Sequence, residues 1–134
     1  MSVPESFHAK KILIVDDANS IRMLARSILL DAGFNAVSQS KNGQDALNLL
    51  KRMPIDVVIC DWNMPFMDGL QLFKAMHADP ELKKIAFIML TSSSETEKVK
   101  AAISAGVSYY ILKPFNPDTL VKNLVDSLQK HNNK

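Results

Sequence analysis

Apolar residues along this chain fall into two alternating regimes. Lys11–Val15 (KILIV), Val57–Cys60 (VVIC), Ile85–Leu90 (IAFIML) and Val107–Leu112 (VSYYIL) are short, almost continuous apolar runs. All four predict strands, and Val57–Cys60 and Ile85–Leu90 read as buried on both faces. Phe34–Ser38 (FNAVS) reads as a further short strand. Between these runs the apolar spacing changes to three and four residues, the period of a helix with one buried face.

Ile21, Leu24, Ala25, Ile28 and Leu29 mark the first helix, from Ser20, and Asp31-Ala32-Gly33 closes it with glycine at the left-handed position. Asn42-x-x-Asp45 caps a second helix with Ala46, Leu49, Leu50 and Met53 inside, ended by Pro54. After a turn at Gly69, Leu70, Leu72, Phe73 and Met76 give a third, which Asp79-Pro80 stops. Ser94-x-x-Glu97 forms a capping box for a fourth, lined by Val99, Ala102 and Ile103 up to Gly106. Asn116-Pro117 supplies N-cap and N1 of the last, with Leu120, Val121, Leu124 and Leu128 inward.

Strand and helix thus alternate five times, with connections that require a parallel sheet covered by helices on both faces. The expected fold class is α/β, a doubly wound (βα)5 arrangement. Residues 1–10 and 131–134 read as tails around one domain, 11–130, and the 134-residue length leaves no room for an output or DNA-binding domain.

Composition removes several functions. No apolar run approaches a membrane span and the N-terminal MSVPESFHAKK lacks a signal core, so the expectation is a cytoplasmic protein with no membrane contact. A net charge of +2 with dispersed lysines and arginines argues against nucleic acid as a partner. The one cysteine, Cys60, lies inside an apolar run and reads as a small buried hydrophobe, which excludes an internal disulfide or a thiolate metal cluster. His8, His77 and His131 are scattered and read as surface residues, and four glycines cannot write a phosphate-binding loop.

The informative residues are those just past the strands: Asp16-Asp17, Asp61, Thr91 and Lys113. Parallel strands deliver these ends to one edge of the sheet, where open α/β sheets bind ligands. Carboxylates brought together repel unless a cation resolves the repulsion, and Mg²⁺ does so with oxygen ligands. With a lysine ammonium and a threonine hydroxyl beside them, they form a constellation suited to phosphoryl transfer. Taken singly, each also has a structural reading. Asp16-Asp17 complement the dipole of the first helix, Thr91 is a strand-end residue, Lys113 is solvated, and Met64 and Met67 pack a loop. Tyr109 and Tyr110 adjoin in a strand and must face opposite ways.

The segments KILIVDDANSIRMLARSIL, DVVICDWNMPFMDGLQLF, MLTSS and YYILKPF resemble the signature stretches of the receiver domain of bacterial two-component response regulators, from about Lys11 to Leu128. The length resembles the family's single-domain chemotaxis members. The resemblance implies a flavodoxin-like sheet of order 2-1-3-4-5. It implies Asp61 as phosphoryl acceptor from a sensor histidine kinase and also as a Mg²⁺ ligand, Asp17 as direct Mg²⁺ ligand, Asp16 acting mainly through water, and Asn63 contributing its backbone carbonyl. Thr91 and Lys113 are implied to hold phosphoryl oxygens, Tyr110 to rotate inward as Thr91 moves, and Pro114 to follow a cis bond. Asn63 and Ser93 flank the acceptor and are implied to set the lifetime of the phosphate. Such a protein is not a conventional enzyme but catalyses its own phosphotransfer and autodephosphorylation. The output face is implied to comprise residues 95–106, 107–112 and 117–128. Three functions fit: a monomeric switch acting on a flagellar motor switch protein, a phosphatase or another target; a phosphate sink or relay; and a constitutive interaction module.

Overall fold

A computed structural model describes residues 3–92, 96–107 and 109–132. Its strands are β1 (Lys11–Val15), β2 (Ala36–Ser40), β3 (Val57–Asp61), β4 (Ala86–Thr91) and β5 (Tyr109–Leu112). Its helices are α1 (Asn19–Ala32), α2 (Gly43–Leu50), α3 (Gly69–His77), α4 (Thr96–Ala105) and α5 (Pro117–Asn132). All strand pairs are parallel, in the order β2-β1-β3-β4-β5, which is the doubly wound (βα)5 fold that the alternation predicts.

Every residue of β3 and β4 is buried, because both strands are covered on both faces. Successive side chains enter two separate cores. Ile12, Ile14, Val57, Ile59, Ile88 and Ile111 meet α1 and α5 through Ala25, Leu29, Leu120, Leu124 and Leu128. Leu13, Val15, Val58, Cys60, Phe87 and Met89 meet α2, α3 and α4 through Ala46, Leu72, Phe73, Met76 and Ala102. Each large side chain so buried contributes about 1.5–3 kcal/mol of transfer free energy.

The local stop and start signals act as their chemistry requires. Gly33 ends α1 at φ 113°, and the Phe34 N–H donates back to the Leu29 carbonyl at 3.1 Å, a Schellman closure. The Asn42 side chain accepts from the Asp45 N–H at 2.7 Å, and that of Asn116 from the Thr119 N–H at 2.7 Å. Ser94, one half of the expected capping box, lies outside the described residues, as do Ser93, Glu95 and the side chain of Val99.

Non-local packing moves several boundaries and faces. β2 begins at Ala36, not Phe34, because Phe34 closes α1 and the Asn35 N–H donates to the His8 carbonyl. Gly69 belongs to the first turn of α3, capped by Asp68, and not to a free turn. Leu24 and Ile103 are exposed: the small residues Ala25, Ala32 and Ala102 sit against the sheet and rotate the buried stripe away from their larger neighbours. Met53 lies past the end of α2 and is exposed as well. Ahead of β1, a short 3₁₀ turn at Glu5–Phe7 packs Val3 and Phe7 into the α1/α5 core, and the His8 ring, half-buried, bonds the Val3 carbonyl at 3.2 Å. At the other end α5 runs through His131 to Asn132. Among the described residues no helix is long and apolar enough to cross a membrane.

Removal of the Phe7 ring leaves a void in a packed core, so Phe7→Ala is expected to lower unfolding stability by about 3 kcal/mol, whereas exposed Leu24→Ser should stay within about 0.5 kcal/mol. Urea denaturation of the two variants checks this, and equal small losses would show that the N-terminal segment adds no stability.

Candidate functional site

The order β2-β1-β3-β4-β5 places the chain reversal between β1 and β3, and the residues ending those strands stand at that edge. Asp16 follows β1 and is fully buried; Asp61 ends β3 at 6% exposure; Thr91 ends β4 at 2%. The ladder runs on past the strands: Asp16 N–H donates to the Ser40 carbonyl, Trp62 N–H to Leu90, and Lys113 N–H to Thr91 at 2.7 Å. The backbone therefore aims these side chains before any of them interact.

Lys113 joins them. Its ammonium donates to Asp61 Oδ1 at 2.9 Å and to Asp16 Oδ2 at 2.9 Å, with the lysine side chain only 17% exposed. Asp16 Oδ1 accepts the Ala18 N–H at 2.9 Å, and the Asp16 carbonyl accepts Arg22 Nη1 at 2.6 Å. Arg22 also reaches Gln39 in β2 and Asn19 in α1, so the end of β1 is tied to both neighbours. Asp17 is exposed, and one oxygen each of Asp16, Asp17 and Asp61 lie within 4.8 Å of one another.

Two buried carboxylates share one ammonium with a third acid beside them, and the titration of Asp61 and Lys113 follows from that imbalance. Burial pushes the Asp61 carboxyl above its ordinary value; the Lys113 hydrogen bond opposes this, and the negative charges of Asp16 and Asp17 add to it. Burial pulls Lys113 down, but its hydrogen bonds to Asp16 and Asp61 outweigh it and the net shift is upward. The cation is over-compensated and the acid under-compensated, so both shifts are upward although an isolated pair would move them apart. Burial, and then Asp61 and Asp16, push the Cys60 thiol well up, and its Sγ lies 3.1 Å from the Asp61 carbonyl. Cys60 is therefore held as a neutral thiol.

The other expected site residues are placed as follows. Asn63 is exposed just past the end of β3. Tyr110 is half-buried against the α2/α3/α4 core and Tyr109 against the other core. The Lys113–Pro114 peptide is cis. Ser93 lies outside the described residues.

Three contributors carry no signal in the sequence pattern. Trp62, next to Asp61, is 7% exposed and carries Lys98 Nζ 5.7 Å from its ring centroid. The same ammonium donates to Asn63 Oδ1 at 3.2 Å, across 35 positions of sequence. Gly69 donates its N–H to the Trp62 carbonyl, and a Cβ there would lie 2.6 Å from the Asp61 carbonyl oxygen and 2.7 Å from Met89 Sδ. Lys98 reads locally as part of a mixed charged face. Gly69 could have been found only as a glycine where a helix begins.

Fold and site together define a doubly wound α/β protein with a lysine-bridged acid cluster at the reversal edge. A model of the response regulator receiver domain matches residues 12–125, and the chain belongs to that family, as a CheY-like receiver. It is 43% identical to chemotaxis protein CheY-3 of Vibrio cholerae over 114 residues, 85% of this chain and 88% of that protein. It is 34% identical to chemotaxis protein CheY of Pseudomonas aeruginosa over 122 residues, 91% of this chain and 98% of that one. The structure of CheY4 of Vibrio cholerae superimposes with a TM-score of 0.83 at 37% identity, covering 90% of this chain and 99% of the other.

Because the raised Asp61 carboxyl binds its proton more tightly folded than unfolded, its contribution to stability is full at acid pH. That contribution falls as pH rises through the ordinary carboxylate range to the raised value. Asp61→Asn is therefore expected to raise the melting temperature of the metal-free protein at pH 7, by an increment that vanishes toward pH 3; thermal melts across that range check it. Gly69→Ala meets backbone on one side and should cost about 1–3 kcal/mol in urea unfolding.

Proposed function

We propose that this chain is a phosphoryl-accepting signalling switch in the cytoplasm, charged on Asp61 by a sensor histidine kinase and read by a separate target protein. The observation that carries the reading is the Lys113 ammonium 2.9 Å from both Asp61 and Asp16, with Asp17 in the same cluster. Membership of the receiver family and similarity to proteins named for chemotaxis support it.

In the proposed reaction an Asp61 carboxylate oxygen forms a bond to phosphorus in line with the breaking P–N bond of a phosphohistidine. The electron pair of that bond returns to the imidazole, which takes a proton from solvent. Lys113 follows the charge from carboxylate to phosphoryl oxygen, and the Thr91 hydroxyl donates to another. Asp61 is suited to the attack because burial and two neighbouring acids leave its charge poorly compensated.

The donor set fits Mg²⁺. All donors are hard oxygens, and their 4.8 Å spread exceeds by under an ångström the roughly 4 Å between opposite ligands of an octahedral Mg²⁺. Asp17, exposed, and Asp61 would ligate it directly, Asp16 through water, and the Asn63 backbone carbonyl would complete the protein's share. When bound, the ion neutralises charge on acceptor and phosphoryl oxygens.

The output proposed is a population shift. Moving a two-state equilibrium from mostly inactive to mostly active takes roughly 3–5 kcal/mol of differential interaction, which two or three charge-assisted contacts supply. Thr91 and Tyr110 are the residues proposed to move, on the face formed by α4, β5 and α5. The target proposed is a flagellar motor switch protein or a phosphatase.

Mg²⁺ at ten times its dissociation constant should stabilise the protein by about 1.4 kcal/mol, and Asp17→Ala should abolish the effect. Acetyl phosphate with Mg²⁺ should label the wild type, label Asp61→Asn not at all, and label Lys113→Ala about 10²-fold more slowly. An Asp61→Asn protein labelled like the wild type would overturn the reading.

A further inference from the structure

A second ammonium near Asp61 has no part in the chemistry above. Lys98 stands in the first turn of α4 and is half-buried. Its ammonium bonds Asn63 Oδ1 at 3.2 Å and lies 5.7 Å from the centroid of the Trp62 ring. Asn63 and Trp62 are the two residues that follow Asp61. One side chain of α4 therefore holds both the carboxamide and the indole that adjoin the acceptor.

The geometry points to Lys98 as a positioning residue that closes the α4 side of the site through Asn63 and so sets how long a phosphoryl group stays on Asp61. The inference rests on the phosphoryl-acceptor reading and deepens it. Loss of the phosphoryl group requires a water oxygen to bond to phosphorus while the Asp61 oxygen–phosphorus bond breaks. Asp61 regains its carboxylate, inorganic phosphate leaves, and the water proton passes to phosphate or solvent. That water must approach in line, from the side away from Asp61, where groups bordering the strand end control access.

Asn63 is exposed, and a free carboxamide there would rotate. The Lys98 bond holds its oxygen toward α4, and contact with the indole face restrains the ammonium in turn. Three groups thus form one closed unit across the gap between the β3–α3 loop and α4. Because Lys98 is on α4, the same contact links the lifetime of the phosphate to the position of that helix.

The test compares decay of the phosphorylated wild type, Lys98→Ala and Lys98→Arg after acetyl phosphate is removed, in Mg²⁺. Lys98→Ala is expected to lose phosphate about 3- to 10-fold faster, with uptake changed less than about 2-fold; Lys98→Arg, which keeps donor and cation, should stay within about 2-fold of wild type. In an Asn63→Ala background Lys98→Ala should add nothing, because it acts through the carboxamide. A wild-type decay rate in Lys98→Ala, or full additivity of the two changes, overturns the inference. Trp62 is the single tryptophan, so its emission reports the contact without any phosphodonor. It should change in Lys98→Ala and not in Lys98→Arg, and an unchanged spectrum overturns the contact itself. Failure of the wild type to take up phosphoryl at all would instead sink the acceptor reading, and the role in lifetime with it.

Discussion

A single ammonium shared by two buried carboxylates is the interaction around which this molecule is arranged. Lys113 follows β5, the edge strand, while Asp61 ends β3 and Asp16 follows β1, so the lysine reaches across the end of β4 to meet them. With strands about 4.8 Å apart, the reach is feasible only if every strand ends at the right level. The backbone bonds Asp16–Ser40, Trp62–Leu90 and Lys113–Thr91 set those levels. A one-residue slip in any ladder would turn its side chain to the opposite face and leave a buried acid without its cation, a loss far larger than an exposed ion pair is worth.

The rest of the fold serves that alignment. Two apolar layers clamp the sheet from both faces, and the central strands, buried throughout, cannot shift without opening both layers. Local ties then hold the loops. Arg22 binds the end of β1 to β2 and α1, and Gly69 brings the start of α3 into backbone contact with the end of β3, at a distance that no other residue tolerates without displacement.

Two lysines of different kinds border the end of β3. Lys113 is held by carboxylates and belongs to the charge balance of the site itself. Lys98 is held by a neutral amide and an aromatic face, so it contributes a restraint with little pairing energy. Contacts of the second kind are easily rearranged, which suits a position between the acid cluster and a helix on the expected output face.

The chain by itself determined what depends on near neighbours in sequence. Apolar runs named the strands, and Gly33, Asn42 and Asn116 marked helix ends, because glycine's backbone freedom and a side-chain cap act within a few residues. That acids and a lysine end up at one edge also followed, since parallel strands leave no other arrangement. Resemblance to a family, and not periodicity, supplied the strand order and the roles of individual residues. Tertiary structure alone decided the rest. Leu24 and Ile103 face solvent because small neighbours approach the sheet more closely. Phe34 leaves β2 to close α1, and Phe7 is buried only because it joins the core that α1 and α5 form on the sheet. Lys98 meets Asn63 across a gap that no local pattern encodes. In each case the deciding energy is a contact between elements distant in sequence, whose relative placement exists only once the sheet has formed.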